Sequence, residues 1–170
     1  MRPPSRLPLG TAAAPSRSGW KAPVSILAGS AMTLLPVVAT IPILPPFGLM
    51  MLMAWRLLRP DVFRPWAPLL FGLFDDLLSG QPLGSAMLLW TICFVAVDVV
   101  DSRLVWRDFW QNWLIAAAAI AFCLSVGRLI ATPFGAHVDT VLLLQILVSI
   151  ALFPLTFLLC ARLDGRERRS

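Results

Sequence analysis

Residues able to carry chemistry are scarce in this chain. Charged side chains make up only 14% of its 170 residues, histidine occurs once and cysteine three times. His137 sits alone in the segment Thr132–Asp139, with no second ligand and no nucleophile beside it, so it supports neither a metal centre nor a serine–histidine–carboxylate relay. Cys93, Cys123 and Cys160 all fall inside apolar runs without metal-ligand spacing and read as small hydrophobes, which leaves zinc and redox chemistry without support. The adjacent carboxylates Asp75 and Asp76 point about 100° apart on a helix and cannot share one proton as a catalytic dyad does. Without a nucleophile, a metal cluster or a phosphate cradle, the expectation is a protein that is not an enzyme and needs no cofactor.

What is abundant is apolar surface. The chain is 58% hydrophobic with a mean hydropathy of +0.80, against about 45–50% apolar residues in ordinary soluble domains. This predicts an all-α, polytopic transmembrane bundle of about six spans, since each needs about 20 residues to cross a hydrocarbon core of about 30 Å. Four spans are plain: Val24–Ile43, Leu83–Val100, Trp110–Ala131 and Thr140–Cys160. Two further apolar segments, Phe47–Leu58 and Trp66–Leu78, are short for spanning and are open as tilted spans, re-entrant segments or halves of a helical hairpin. Because the first apolar run ends without a small-residue cleavage site, it reads as a retained span instead of a signal peptide.

Charge sets the orientation. With six crossings and both termini in the cytoplasm, 13 of the 14 basic residues face inward and only Arg128 lies on the outer half, as the positive-inside rule requires. Residues 1–23 then form a basic, disordered cytoplasmic N-terminus, 24–160 the transmembrane domain and 161–170 a basic cytoplasmic tail. The net charge of +5 is split among four segments, which fits attraction to anionic membrane lipid and argues against nucleic acid. Trp20, Trp66, Trp106, Trp110 and Trp113 fall near predicted span ends, the depth that indole rings favour. Prolines at 36, 42, 45, 46, 65, 68 and 82 make the first three spans the irregular part of the bundle. Near the cytoplasmic end of the fourth span, Asp98 and Asp101 are expected to pair with Arg103 and Arg107.

The block Gly72-Leu-Phe-Asp-Asp-Leu-Leu-Ser-Gly-Gln-Pro-Leu-Gly84 is the exception to this apolar pattern. A carboxylate at such depth is costly unless it is paired, near an interface or facing a polar cavity. Asp76 shares a helix stripe with Gly72 and Gly80, a spacing suited to close helix contact. Three roles are open to it: ending the span by bonding into the Ser79–Pro82 turn, a polar contact to another helix, or a ligand site.

These residues resemble the rod shape-determining protein MreD family of bacteria. The resemblance covers Pro46 to Arg103 best, and is carried by Pro46-Phe47-Gly48-Leu49, by Trp55 and Pro60, and above all by Gly72, Asp76, Gly80 and Gly84 at intervals of four. Ala54-Trp55 matches the family's aromatic pair in part, and Asp75 departs from the apolar residue usual at its position. The resemblance implies a non-enzymatic, multi-pass protein of the bacterial inner membrane, a scaffold of the cell-elongation complex that serves side-wall peptidoglycan synthesis. It implies an MreC-like single-span periplasmic scaffold as partner, within a complex of MreB-like, RodA-like and transpeptidase components. It also implies a fold akin to the six-helix substrate-binding subunits of energy-coupling-factor transporters. The expected partner-binding residues are Trp55, Gly72, Asp75, Asp76, Gly80 and Gly84. The rival reading, a membrane subunit of a vitamin-type transporter, is weakened by a short list of polar residues at midspan depth: Thr33, Thr91, Ser125 and Gln145.

Overall fold

The computed structural model describes residues 20–34, 44–80, 82–103, 108–131 and 140–165. Pro36, Pro42, Gln81, Trp106, Arg107, His137 and the two ends of the chain lie outside the described residues. Among the described residues six α-helices make up the regular structure: α1 (Lys21–Ala31), continued by one 3-10 turn over Met32–Leu34, then α2 (Phe47–Leu58), α3 (Ala67–Ser79), α4 (Ser85–Arg103), α5 (Phe109–Ala131) and α6 (Thr140–Gly165). The all-α membrane bundle expected from composition is borne out. The predicted span Val24–Ile43 is helical as far as Leu34, and the rest of it lies outside the described residues.

Local sequence explains where the short helices stop. The carbonyls of Pro45 and Pro46 accept from the backbone N–H groups of Phe47 and Met50, which opens α2, and Pro60 pushes Arg59 into the extended conformation that ends it. Pro68 occupies the first turn of α3, where its missing N–H costs nothing, and Gly80 closes that helix in the left-handed conformation at φ 66°. α4, α5 and α6, at 19, 23 and 26 residues, are long and apolar enough to cross a membrane. α2 and α3 have 12 and 13 residues, a rise of only about 18–20 Å.

Side-chain contacts fix the directions of α1, α2, α4, α5 and α6, and α3 runs between α2 and α4. At one end of the bundle Arg59 of α2 meets Asp164 of α6 at 2.8 Å, and Arg56 of α2 pairs with Asp98 and Asp101 of α4. The Trp55 indole N–H donates to Ser25 Oγ near the start of α1 at 2.7 Å, and Phe109 at the start of α5 packs edge-on against Phe157 of α6. At the other end Gln145 of α6 donates to the Leu44 carbonyl just before α2 at 2.8 Å. Successive helices therefore alternate in direction. The end that gathers Arg56, Arg59, Arg103 and Arg162 faces the cytoplasm by the positive-inside rule.

Asp98 and Asp101 both pair with Arg56, which arrives from α2 and stacks on the Phe94 ring at 5.2 Å; Arg107, one of the local partners expected for them, lies outside the described residues. A helix packed on all sides offers its lone cation no water, so acidic groups on the neighbouring helix reach it instead. α2 is that central helix, with Leu49, Met50, Leu52, Met53, Ala54, Trp55 and Leu57 all buried. It crosses α1 closely because Gly29 and Gly48 meet there, and a Cβ on Gly48 would overlap the Ser30 hydroxyl. In α6, Pro154 has no N–H to give the Ile150 carbonyl, and the Trp113 indole of α5 donates to that oxygen at 3.2 Å. The longer helices turn leucines outward, among them Leu114, Leu147 and Leu155, as a lipid-facing surface requires.

Candidate functional site

The glycine–aspartate block folds into a helical hairpin, with α3 and α4 joined by a turn at the outer end. Asp76, 1% exposed, leaves the last turn of α3 and reaches the start of α4. Its Oδ2 accepts the backbone N–H groups of Gly84 at 2.9 Å and Met87 at 3.2 Å. Its Oδ1 accepts the Ala86 N–H at 2.9 Å and the Ser85 hydroxyl at 3.0 Å. The first turn of a helix has N–H groups without intrahelical acceptors and a positive dipole end, and a carboxylate from the preceding helix satisfies both. Among the described residues Asp76 bonds just beyond the Ser79–Pro82 turn, at Gly84 to Met87, because that is where the orphan donors are. With four donors on two oxygens, Asp76 is a structural anchor.

The three glycines serve the same hairpin by different means. Gly72, four residues before Asp76, lets α3 touch the backbone of α4: a Cβ there would lie 2.5 Å from Met87 Cα and 2.7 Å from Met87 N. Gly80 and Gly84 have φ of 66° and 98°, and nothing lies within 4 Å of a Cβ built on either. They provide left-handed backbone, not room. The spacing of four thus combines one close approach, one cap and two turn conformations, and the helix stripe expected through Gly72 and Asp76 is the face that meets α4.

Trp55 lies apart from this hairpin. It is 2% exposed, inside the core, where it joins α2 to α1 through Ser25. Asp75, next to the anchored Asp76, turns toward a cavity of about 200 Å³ that is also lined by Trp90, Gln145 and Arg128. The short list of midspan polar residues did not disclose this cavity. Three polar groups meet there from α3, α5 and α6, and only the fold brings them together. Arg56 and Ser85 were also missed as organising residues, although a serine directly after glycine at the start of an apolar run is a helix-start signal.

No curated protein and no solved structure matches the chain. A family model described as rod shape-determining protein MreD matches residues 21–163, from the first residue of α1 almost to the end of α6 and across the whole capped hairpin. The chain belongs to the MreD family of rod shape-determining proteins of the bacterial inner membrane.

Proposed function

We propose that the chain is a non-enzymatic scaffold of the cell-elongation complex, required for rod shape and side-wall peptidoglycan synthesis. It holds the transmembrane helix of an MreC-like periplasmic scaffold against a surface formed by α1, α3 and the hairpin turn, with α2 packed behind them. MreB-like, RodA-like and transpeptidase components assemble with that pair. The observation that carries this reading is the outer tip of the hairpin. Gly72 and Asp76 are spent on fixing α3 to α4, while Leu77 at 64% exposure and Leu83 at 72% face outward beside the open turn at Gly80. A rigid edge of small and apolar residues supports close approach of another helix, for which packing and not hydrophobic burial is the driving force in lipid. Asp76 and Trp55 act in this reading from inside, by holding the edge in shape.

The structure makes Gly80→Leu the informative variant. Its side chain meets no neighbour, and the left-handed conformation adds only about 1–2 kcal/mol of strain, so the protein inserts and accumulates. The expected result is loss of rod shape and of co-purification with the MreC-like protein from native membranes in mild detergent. Normal shape and full co-purification, with Gly80→Leu and with Leu77→Gln, would overturn the reading. Recovery of an ATPase pair with a coupling subunit would replace it by the vitamin-type transporter.

A further inference from the structure

We infer that the cavity between the start of α1 and the loop joining α2 to α3 binds an anionic phospholipid of the inner leaflet, with Arg64 on its phosphate and an apolar wall along its acyl chain. The cavity measures about 420 Å³, within the roughly 300–1,000 Å³ of pockets that enclose small ligands. Its inner wall is made by Val62, Phe63 and Phe71, half-buried side chains packed on the core, and the two rings meet edge to face at 5.5 Å. Pro23 of α1 bounds it on the other side. The outer rim is Arg64, Trp66 and Leu70, all exposed. The recess thus has a floor tied to the core and a mouth open to the membrane surface.

Charge and depth narrow the ligand. Arg64 is the only charged residue in the cavity wall. The two arginines before it are engaged, Arg56 with Asp98 and Asp101 and Arg59 with Asp164, whereas among the described residues no acid pairs with Arg64. Asp61, the acid nearest to it in sequence, is exposed and outside the cavity wall. Residues 1–19, which lead into α1, contain three arginines and no acid, so they bring the cavity no counter-charge. A guanidinium takes a phosphodiester through two parallel N–H bonds. Arg64 stands in the loop at the cytoplasmic end, beside Trp66 at the level that indole rings favour, and Phe71 lies four residues beyond Ala67, a rise of about 6 Å. Polarity therefore falls along α3 from cation to aromatic wall, in the order of a phospholipid from phosphate to acyl chain. One cation matches one phosphodiester, as in phosphatidylglycerol, and the apolar wall favours a phosphate that brings a chain over a free one.

Native mass spectrometry of the full chain in mild detergent, with equal amounts of phosphatidylglycerol, phosphatidylethanolamine and phosphatidylcholine, tests the inference. Phosphatidylglycerol should be retained about fivefold over the two zwitterionic lipids. Arg64→Gln should erase that preference with unchanged thermal melting, and Arg64→Lys should keep part of it. Arg103→Gln removes an exposed arginine at the same membrane face but outside the cavity, and should leave the preference intact. An excess of glycerol 3-phosphate, which has the phosphate without a chain, should not displace the lipid. Displacement would overturn the assignment in favour of a soluble phosphate ester. Equal retention of the three lipids, or a preference that survives Arg64→Gln, would overturn it outright. Equal losses from Arg64→Gln and Arg103→Gln would reduce it to diffuse attraction by a basic face. A second copy of the chain or another protein, retained in place of the lipid and lost with Arg64→Gln, would overturn it as well.

Discussion

Asp76 accepts the backbone N–H of Gly84 at 2.9 Å, so a residue in the last turn of one helix caps the start of the next. Removal of this acceptor takes the partner from three backbone N–H groups and one hydroxyl, those of Ser85 and Ala86 being buried. Asp76→Ala should therefore cost about 3 kcal/mol or more. Asp76→Asn, which keeps one acceptor oxygen and loses the charge, should cost about half as much. Thermal melting of the purified protein in detergent, followed by tryptophan fluorescence, orders the three proteins.

Gly72 and Gly80 separate packing from conformation. Gly72→Ala sets a methyl group against Met87 backbone, which cannot swing aside, and should cost about 3 kcal/mol with a matching fall in steady-state level. Gly80→Ala meets open space and should cost only about 1 kcal/mol. Equal losses in the two melts would contradict the close approach of α3 to α4.

The arginine cluster should respond unequally to loss of its two halves. Arg56 is 3% exposed, whereas Asp98 is 62% exposed. Removing both acids as Asp98→Ala/Asp101→Ala strands a buried guanidinium and should cost about 3 kcal/mol or more. Arg56→Met leaves carboxylates that reach water, fills the space with an apolar chain, and should cost about 1 kcal/mol. Comparative melts in detergent decide between this order and its reverse.

Cys93 on α4 and Cys123 on α5 have their Sγ atoms 3.2 Å apart, and Cys160 faces Met51 of α2 instead. Mild copper–phenanthroline oxidation of the membranes should join Cys93 to Cys123 within one chain, since the sulfurs need to close by only about 1 Å. After denaturation, one maleimide–polyethylene glycol adduct, at Cys160, is expected. Three adducts would place α4 and α5 farther apart.

How far the fold could be read from sequence depended on the kind of interaction. Apolar run length located α2 at Phe47–Leu58 and brought α3 to within a residue, because Pro46, Pro60, Pro68 and Gly80 punctuate those runs by local rules. The stripe through Gly72 and Asp76 was visible as a helix repeat. What the repeat lacked was the partner: the donors of Gly84 to Met87 become a target only when the chain turns back at Gly80. Arg56 with Asp98, and Asp75 with Arg128 and Gln145, are separated by tens of residues, so no local pattern encodes their meeting.

The brevity of α2 and α3 bears on the membrane itself. Helices of 12 and 13 residues rise about 10 Å less than the thickness of an average hydrocarbon core, and Asp75 and Asp76 stand at the end of one of them. A bilayer in contact with such a mismatch dips to meet it, at a cost of fractions of a kcal/mol per Å that falls on the lipid around that flank. Any neighbour whose own span is short relieves this deformation by standing there, and one with a long span aggravates it. A 13-residue α3 set against lipid is thus expected to favour neighbours of short span before any side chain is touched.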